Sequence, residues 1–285
     1  MKTYKKVYPD GLKFAQTQSG IKVEYPATII KKRSPDIWAI KYLLDKGLYN
    51  FRGENVITLG KTDTTMALRL HFLPKIFPGT AFMFKNDIGF PPEDIVCDIG
   101  KRYKTYEGEF PKRGTKKYPE SVLETNIWNN LNTCFGKEFP RAGYGIRQFP
   151  ANIFDVHISG KTRITRKFWI DILTVNASNQ LSVLELKAGG NASLDLLAQA
   201  IDYGVFCHLF KKHIAKCWFD DTDDLSRNKV AIYCVAENFH PALIDERGIK
   251  SLIRPNDIMD IIFIQVEVKT NKVESYKVLF DTRRL

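Results

Sequence analysis

Two neighbouring stretches carry β-branched and aromatic residues with polar ones set between them, FWIDILTV at 168–175 and LSVLELKA at 181–188. Side chains of a strand point to opposite faces in turn, so each stretch reads as a strand with one polar stripe. The five residues between them, 176–180, have the length and composition that close a β-hairpin. A hairpin symmetric about Ser178 pairs Val175 with Leu181 and sets Asp171 opposite Glu185, with Lys187 on the same face as Glu185. After Gly189 and Gly190 the period changes: Leu194, Leu197, Ala198, Ile201 and Val205 form a helical apolar stripe. Gln199 and Tyr203 are four apart and share one face of that helix, with Asp195 one turn earlier.

The rest of the chain is α/β in character. Residues 1–33 read as short extended segments, SPDIWAIKYLLDKGLY as a helix with Ser34 at its cap and Pro35 in its first turn, and 54–90 as short mixed segments. Residues 100–118 combine three glycines with lysines and arginines and lack apolar periodicity, which suits a linker. A helix begins at Pro119, with Leu123, Ile127, Leu131 and Cys134 toward the core and Gly136 past its end. On that helix Glu120 falls near the middle of the apolar stripe and Glu124 toward its edge. Residues 153–158 (IFDVHI) read as the first core strand, the acidic run near 220–224 as a solvated loop, and VAIYCVAE as a buried strand. HPALIDERGIKSLI then suggests a helix, and IIFIQVEVK and SYKVLF closing strands. Two domains are expected, 1–110 and 115–285.

Charge adds a second asymmetry. The formal net charge is +11, and residues 1–118 hold 22 basic and 12 acidic side chains, leaving an excess of only one for the remainder. A lopsided basic segment points to a polyanion, although a plainly solvated surface has the same composition. Lys31, Lys32 and Arg33 form one local basic run. No apolar run approaches the ~18 residues of a membrane span. The first residues, MKTYKKVYPDGL, lack the apolar core of a secretory signal. Five scattered cysteines show no zinc-ligand spacing. A cytoplasmic protein with reduced thiols and no membrane partner is expected, and a homodimer is compatible with the sequence.

Two carboxylates facing each other across a hairpin repel unless a cation lies between them, and a divalent metal together with a lysine meets that need. The bland alternative is a solvated sheet face. Taken in order, Asp171, the hairpin, Glu185-Leu186-Lys187 and Gln199-x-x-x-Tyr203 resemble the PD-(D/E)xK nuclease superfamily. The last motif is similar to that of the branch holding RecB-type exonucleases. Ile170 stands where the literal motif has proline, and no four-cysteine cluster is present. The resemblance implies a restriction-endonuclease-like αβββαβ core with a mixed sheet, preceded here by a basic N-terminal α/β module. It implies Mg²⁺ (or Mn²⁺) held by Asp171, Glu185, the carbonyl of Leu186 and an acid of the first helix, Glu120 with Glu124 in reserve. Lys187 would serve the attacking water, with Gln199 and Tyr203 orienting groups around it. The expected substrate is DNA, ahead of RNA. The competing reading is a binding module on a nuclease-derived fold that no longer cleaves.

Overall fold

The computed structural model describes residues 8–30, 34–86, 92–108, 119–141, 143–219, 224–270 and 272–285. The Lys31–Arg33 run, residues 109–118 of the expected linker, residues 220–223 of the acidic run and the side chain of Glu120 lie outside the described residues.

The first elements among the described residues are β1 (Lys13–Gln16), β2 (Gly20–Glu24), α1 (Ala27–Ile30), α2 (Pro35–Asp45), β3 (Asn55–Thr62), α3 (Thr64–Ile76) and β4 (Thr80–Asn86). The four strands form one sheet in chain order, β1–β2 antiparallel and β2–β3 and β3–β4 parallel. Residues 54–90 therefore hold a regular β-α-β unit in place of the short mixed segments expected. The sequence hides α3 because threonines open it and Pro74 lies inside it. Asp63 caps it by accepting the N–H of Met66 at 3.0 Å.

Next come α4 (Pro92–Asp98), β5 (Tyr103–Lys104), α5 (Pro119–Asn129), α6 (Leu131–Phe135), β6 (Ile146–Pro150), β7 (Phe154–Asp155), β8 (Trp169–Val175), β9 (Leu181–Ala192), α7 (Leu194–Trp218), α8 (Asp224–Arg227), β10 (Val230–Phe239), α9 (Pro241–Ile244), β11 (Met259–Lys269) and β12 (Lys272–Asp281). Six of these strands make a mixed sheet in the order β12-β11-β10-β9-β8-β6. β6, β8 and β9 are antiparallel neighbours, while β9–β10 and β10–β11 are parallel. The hairpin has the expected register, with Val175 against Leu181 and Ile172 against Leu184. Its turn is held by Asn176, whose side-chain carbonyl accepts the N–H groups of Ser178 and Gln180.

The first core strand lies at 146–150 rather than 153–158. In the later segment only Phe154–Asp155 is extended, paired with β5. Val156 turns into the left-handed region at φ 63° and is 62% exposed. The true strand is preceded by Gly145, at φ 125°, where a Cβ would sit 2.2 Å from the Leu173 carbonyl oxygen. The segment from 240 to 253 holds a single helical turn and a 3-10 turn, shorter than the helix expected.

Sheet alternation divides the interior into two apolar clusters. Leu184, Leu186, Tyr233 and Ile262 pack with Leu123, Ile127, Leu131 and Phe135 of α5 and α6. The opposite face, with Val183, Ile232, Cys234 and Ile261, packs with α7, and the same cluster continues without a break into Ile57, Leu70 and Leu73 of the first part. Gly204 lets α7 lie close on the sheet, since a Cβ there would come within 2.9 Å of Ile232 Cγ2 and 3.0 Å of Met259 Sδ. Beside this apolar seam, Arg69 of α3 is 1% exposed and bonds Asp36 of α2 (Nε, 2.7 Å) and Asp202 of α7. One buried guanidinium thus joins three helices.

Candidate active site

Asp171 lies one residue beyond Ile172, which makes the last ladder pair with Leu184, so it occupies the level of Glu185 where the two strands begin to part. Both carboxylates are buried, Asp171 at 8% exposure and Glu185 at 1%. The N–H of Leu186 donates to Asp171 Oδ2 at 2.9 Å. Lys187 Nζ meets Glu185 Oε1 at 2.8 Å, with its own side chain about one-third exposed. The acids are therefore inside and the ammonium reaches toward solvent. Burial, followed by the nearby Glu185 carboxylate, pushes the Asp171 carboxyl well above the usual carboxylate range; Lys187 and the Leu186 N–H oppose the rise, and Glu124 adds to it.

On the other side of β8, residues Arg147 and Phe149 of β6 pair with Ile172 and Ile170, which puts Gln148 at the level of Asp171. Gln148 is left-handed, φ 51°, a conformation that carries strain for a residue with a Cβ. Its amide nitrogen donates to Asp171 Oδ1 at 3.3 Å and, in a short contact, to Glu124 Oε2. Glu124 is 3% exposed and also accepts from Arg147 Nε at 2.9 Å. Glu120 lies in the first turn of the same helix, with its side chain outside the described residues; among the described residues Glu124 is the acid of that helix that meets this site. Nothing in the sequence singled out Gln148 or Arg147, because the strand that presents them had been placed seven residues later.

Gln199 and Tyr203 also come together, though not around the lysine. Gln199 Nε2 donates to the Tyr203 hydroxyl at 2.7 Å, and that hydroxyl donates to the carbonyl of Trp169 at 2.9 Å. Burial, then the Glu185 carboxylate, raises Tyr203 well above the ordinary phenol range, so the hydroxyl keeps the proton that it donates. The pair pins the start of β8, two residues before Asp171, against α7. Glu237 of β10 was not foreseen either; its carboxylate accepts the N–H of Gly189 and holds the chain just after Lys187. Asp195 accepts the N–H of Ser34 at 2.9 Å.

Among the described residues no group of three or more His, Cys, Asp and Glu side chains is placed to hold a metal ion. Asp171 and Glu185, at one level on adjacent strands, supply two hard oxygen donors, and the Leu186 carbonyl is a third donor close in sequence. Such a set suits a cation that keeps several of its waters, as Mg²⁺ does, and does not make a closed cage. The Gln148 amide already places a partial positive charge between Asp171 and Glu124, which is where local electrostatics calls for a cation.

Compared with protein-family profiles, with curated proteins and with solved structures, the chain matches none.

Proposed function

We propose that the protein is a metal-dependent nuclease that hydrolyses phosphodiester bonds of DNA, with a restriction-endonuclease-like core of the PD-(D/E)xK kind. The observation that carries the reading is the meeting of Asp171, Glu185 and Lys187 on adjacent strands, where two buried carboxylates at one level raise each other's cost and a bound cation would relieve it. The element order supports it: α5, then the antiparallel β6, β8 and β9, then α7, then β10 parallel to β9, which is the αβββαβ order that the sequence motifs imply.

Asp171, Glu185 and the Leu186 carbonyl would hold Mg²⁺ or Mn²⁺, which when bound supplies an activated water and charge relief on the phosphoryl oxygens. Lys187, fixed by Glu185 and one-third exposed, offers its ammonium to the attacking water and to the scissile phosphate. Arg147, 34% exposed and anchored on Glu124, adds a cation at the rim for a flanking phosphate. Gln199, Tyr203 and Glu237 act as positioning residues, holding β8 and the chain after Lys187. The basic excess of residues 1–118 gives a polyanionic strand its long-range attraction. Among the described residues no helix is long and apolar enough to cross a membrane.

Purified full-length protein incubated with linear duplex, circular duplex, single-stranded DNA and RNA should cut DNA with Mg²⁺ or Mn²⁺ and leave it whole with chelator. DNA bound but intact under both cations would overturn the nuclease and favour the non-cleaving binding module.

The Gln148 contact gives a second expectation. If its amide stands in for a cation between Asp171 and Glu124, Gln148→Ala should lower the melting temperature in chelator by about 4 °C, roughly 1–2 kcal/mol. Saturating Mg²⁺ should return most of that loss. A variant that melts like wild type in chelator would remove Gln148 from this role.

A further inference from the structure

Of the four tryptophans, Trp38 and Trp218 belong to the apolar cluster shared with α7, and Trp128 packs against the cluster of α5 and α6. Trp169 belongs to neither and is partly exposed. An indole placed in a core contributes a large apolar area, so a tryptophan left outside both clusters calls for another partner. It is the first residue of β8, two before Asp171 and about 7 Å from it at the rise of a strand. Phe168 and Ile170 both pack in the α7 cluster, so alternation turns Trp169 and Asp171 to the other side of β8. That is the side on which Gln148 joins Asp171 to Glu124 of α5.

The backbone beneath the ring is fixed. The Tyr203 hydroxyl donates to the Trp169 carbonyl at 2.9 Å, and Trp169 pairs with Pro150 of β6. Lys167 is exposed, and its Nζ lies 5.8 Å from the centre of the Trp169 ring. Its neighbour Arg166 is committed to Asp63 at 2.5 Å, whereas among the described residues Lys167 makes no ion pair with a carboxylate. Ammonium, indole and metal-binding acid therefore follow one another along the chain. A nucleic-acid strand presents the matching order of phosphate, base and phosphate, and aromatic rings interleaved with cations are how proteins hold such strands when they are single. Stacking on an indole needs a bare base face. Inside a duplex each face is covered by the next base 3.4 Å away, so only an unpaired or terminal base can lie on the ring.

We propose that Trp169 is the stacking platform for an unpaired base beside the scissile phosphate, with Lys167 on the phosphate beyond it, so that the substrate class is single-stranded DNA or a frayed end rather than intact duplex. The inference rests on the nuclease reading for the place of the scissile phosphate; the stacking itself needs no metal.

Fluorescence anisotropy of the full chain in chelator, where no cutting occurs, tests it with labelled single-stranded and duplex oligonucleotides of one sequence. The single strand should bind more tightly. Trp169→Ala should weaken single-strand binding about tenfold and duplex binding less than about twofold, with an unchanged circular dichroism spectrum, and Trp169→Phe should keep most of the affinity. Quenching of the intrinsic tryptophan fluorescence by the single strand should shrink sharply in Trp169→Phe, a change that a merely structural role would not produce. Lys167→Ala, at an exposed position, should make the single-strand salt slope shallower by about 0.7. Single-strand binding and quenching that persist unchanged without Trp169 would overturn the platform, as would tighter binding of duplex or no binding of single strand. If such a protein still cuts DNA with Mg²⁺, the nuclease reading survives that failure; binding that depends on Trp169 without any cutting would instead support the platform and sink the nuclease.

Discussion

Asp171→Asn and Glu185→Gln should each lower metal-dependent DNA cleavage on the order of a thousandfold, about 4 kcal/mol of transition-state stabilisation. Neither should unfold the protein. Both replacements keep shape, and Asp171→Asn removes a buried charge that faces Glu185 and Glu124. Its melting temperature in chelator should therefore equal or exceed that of wild type, while its affinity for Mg²⁺, read by titration calorimetry, should fall. Higher stability with lost activity is the expected mark of like charges held together for function. Lys187→Met should also lose cleavage, and it should leave the Glu185 carboxylate buried without its 2.8 Å ammonium partner, so here stability should fall. A folded Glu185→Gln protein that cuts at the wild-type rate would sink the assignment of the site.

Arg69→Met should destabilise the fold by about 3–5 kcal/mol, because it leaves Asp36 and Asp202 buried with no cation between them. Urea titration should show a lower midpoint with a similar slope. Replacing all three groups with apolar residues of matching size should recover much of the loss, since the desolvation of the charges then disappears with them. Asp202 directly precedes Tyr203, so the Arg69 variant should also lose cleavage at temperatures that wild type tolerates. A shift below about 1 kcal/mol would mean that the ionic triad is dispensable.

What the sequence revealed was what is encoded locally. The hairpin register followed from alternation and a five-residue turn, and α7 followed from its apolar stripe after two glycines. The Asp171, Glu185 and Lys187 constellation came with that register. Gln148 could not be found in the same way. Its importance depends on a left-handed backbone and on two partners more than twenty residues distant, and neither leaves a periodic trace. The role of Tyr203 changed for a related reason: spacing put it on a face with Gln199, but only packing shows that its hydroxyl goes to the Trp169 carbonyl. Helix α3 was obscured by Pro74 and its opening threonines, where tertiary burial of Met66, Leu70 and Leu73 overrides weak propensity.

The unbroken apolar cluster from the first sheet to the second bears on how such a protein can be inherited. Ile57, Leu70 and Leu73 share one interior with Val183, Ile232 and Ile261, so neither portion is a cassette that recombination can lift out whole. A gene fragment encoding either one alone would bare a broad oily face to water, at about 25 cal/mol for each Å² exposed. Such a product invites proteolysis or clumping before selection can act on its chemistry. Variation should therefore collect in the rims and loops, and the two portions should travel through lineages as a pair.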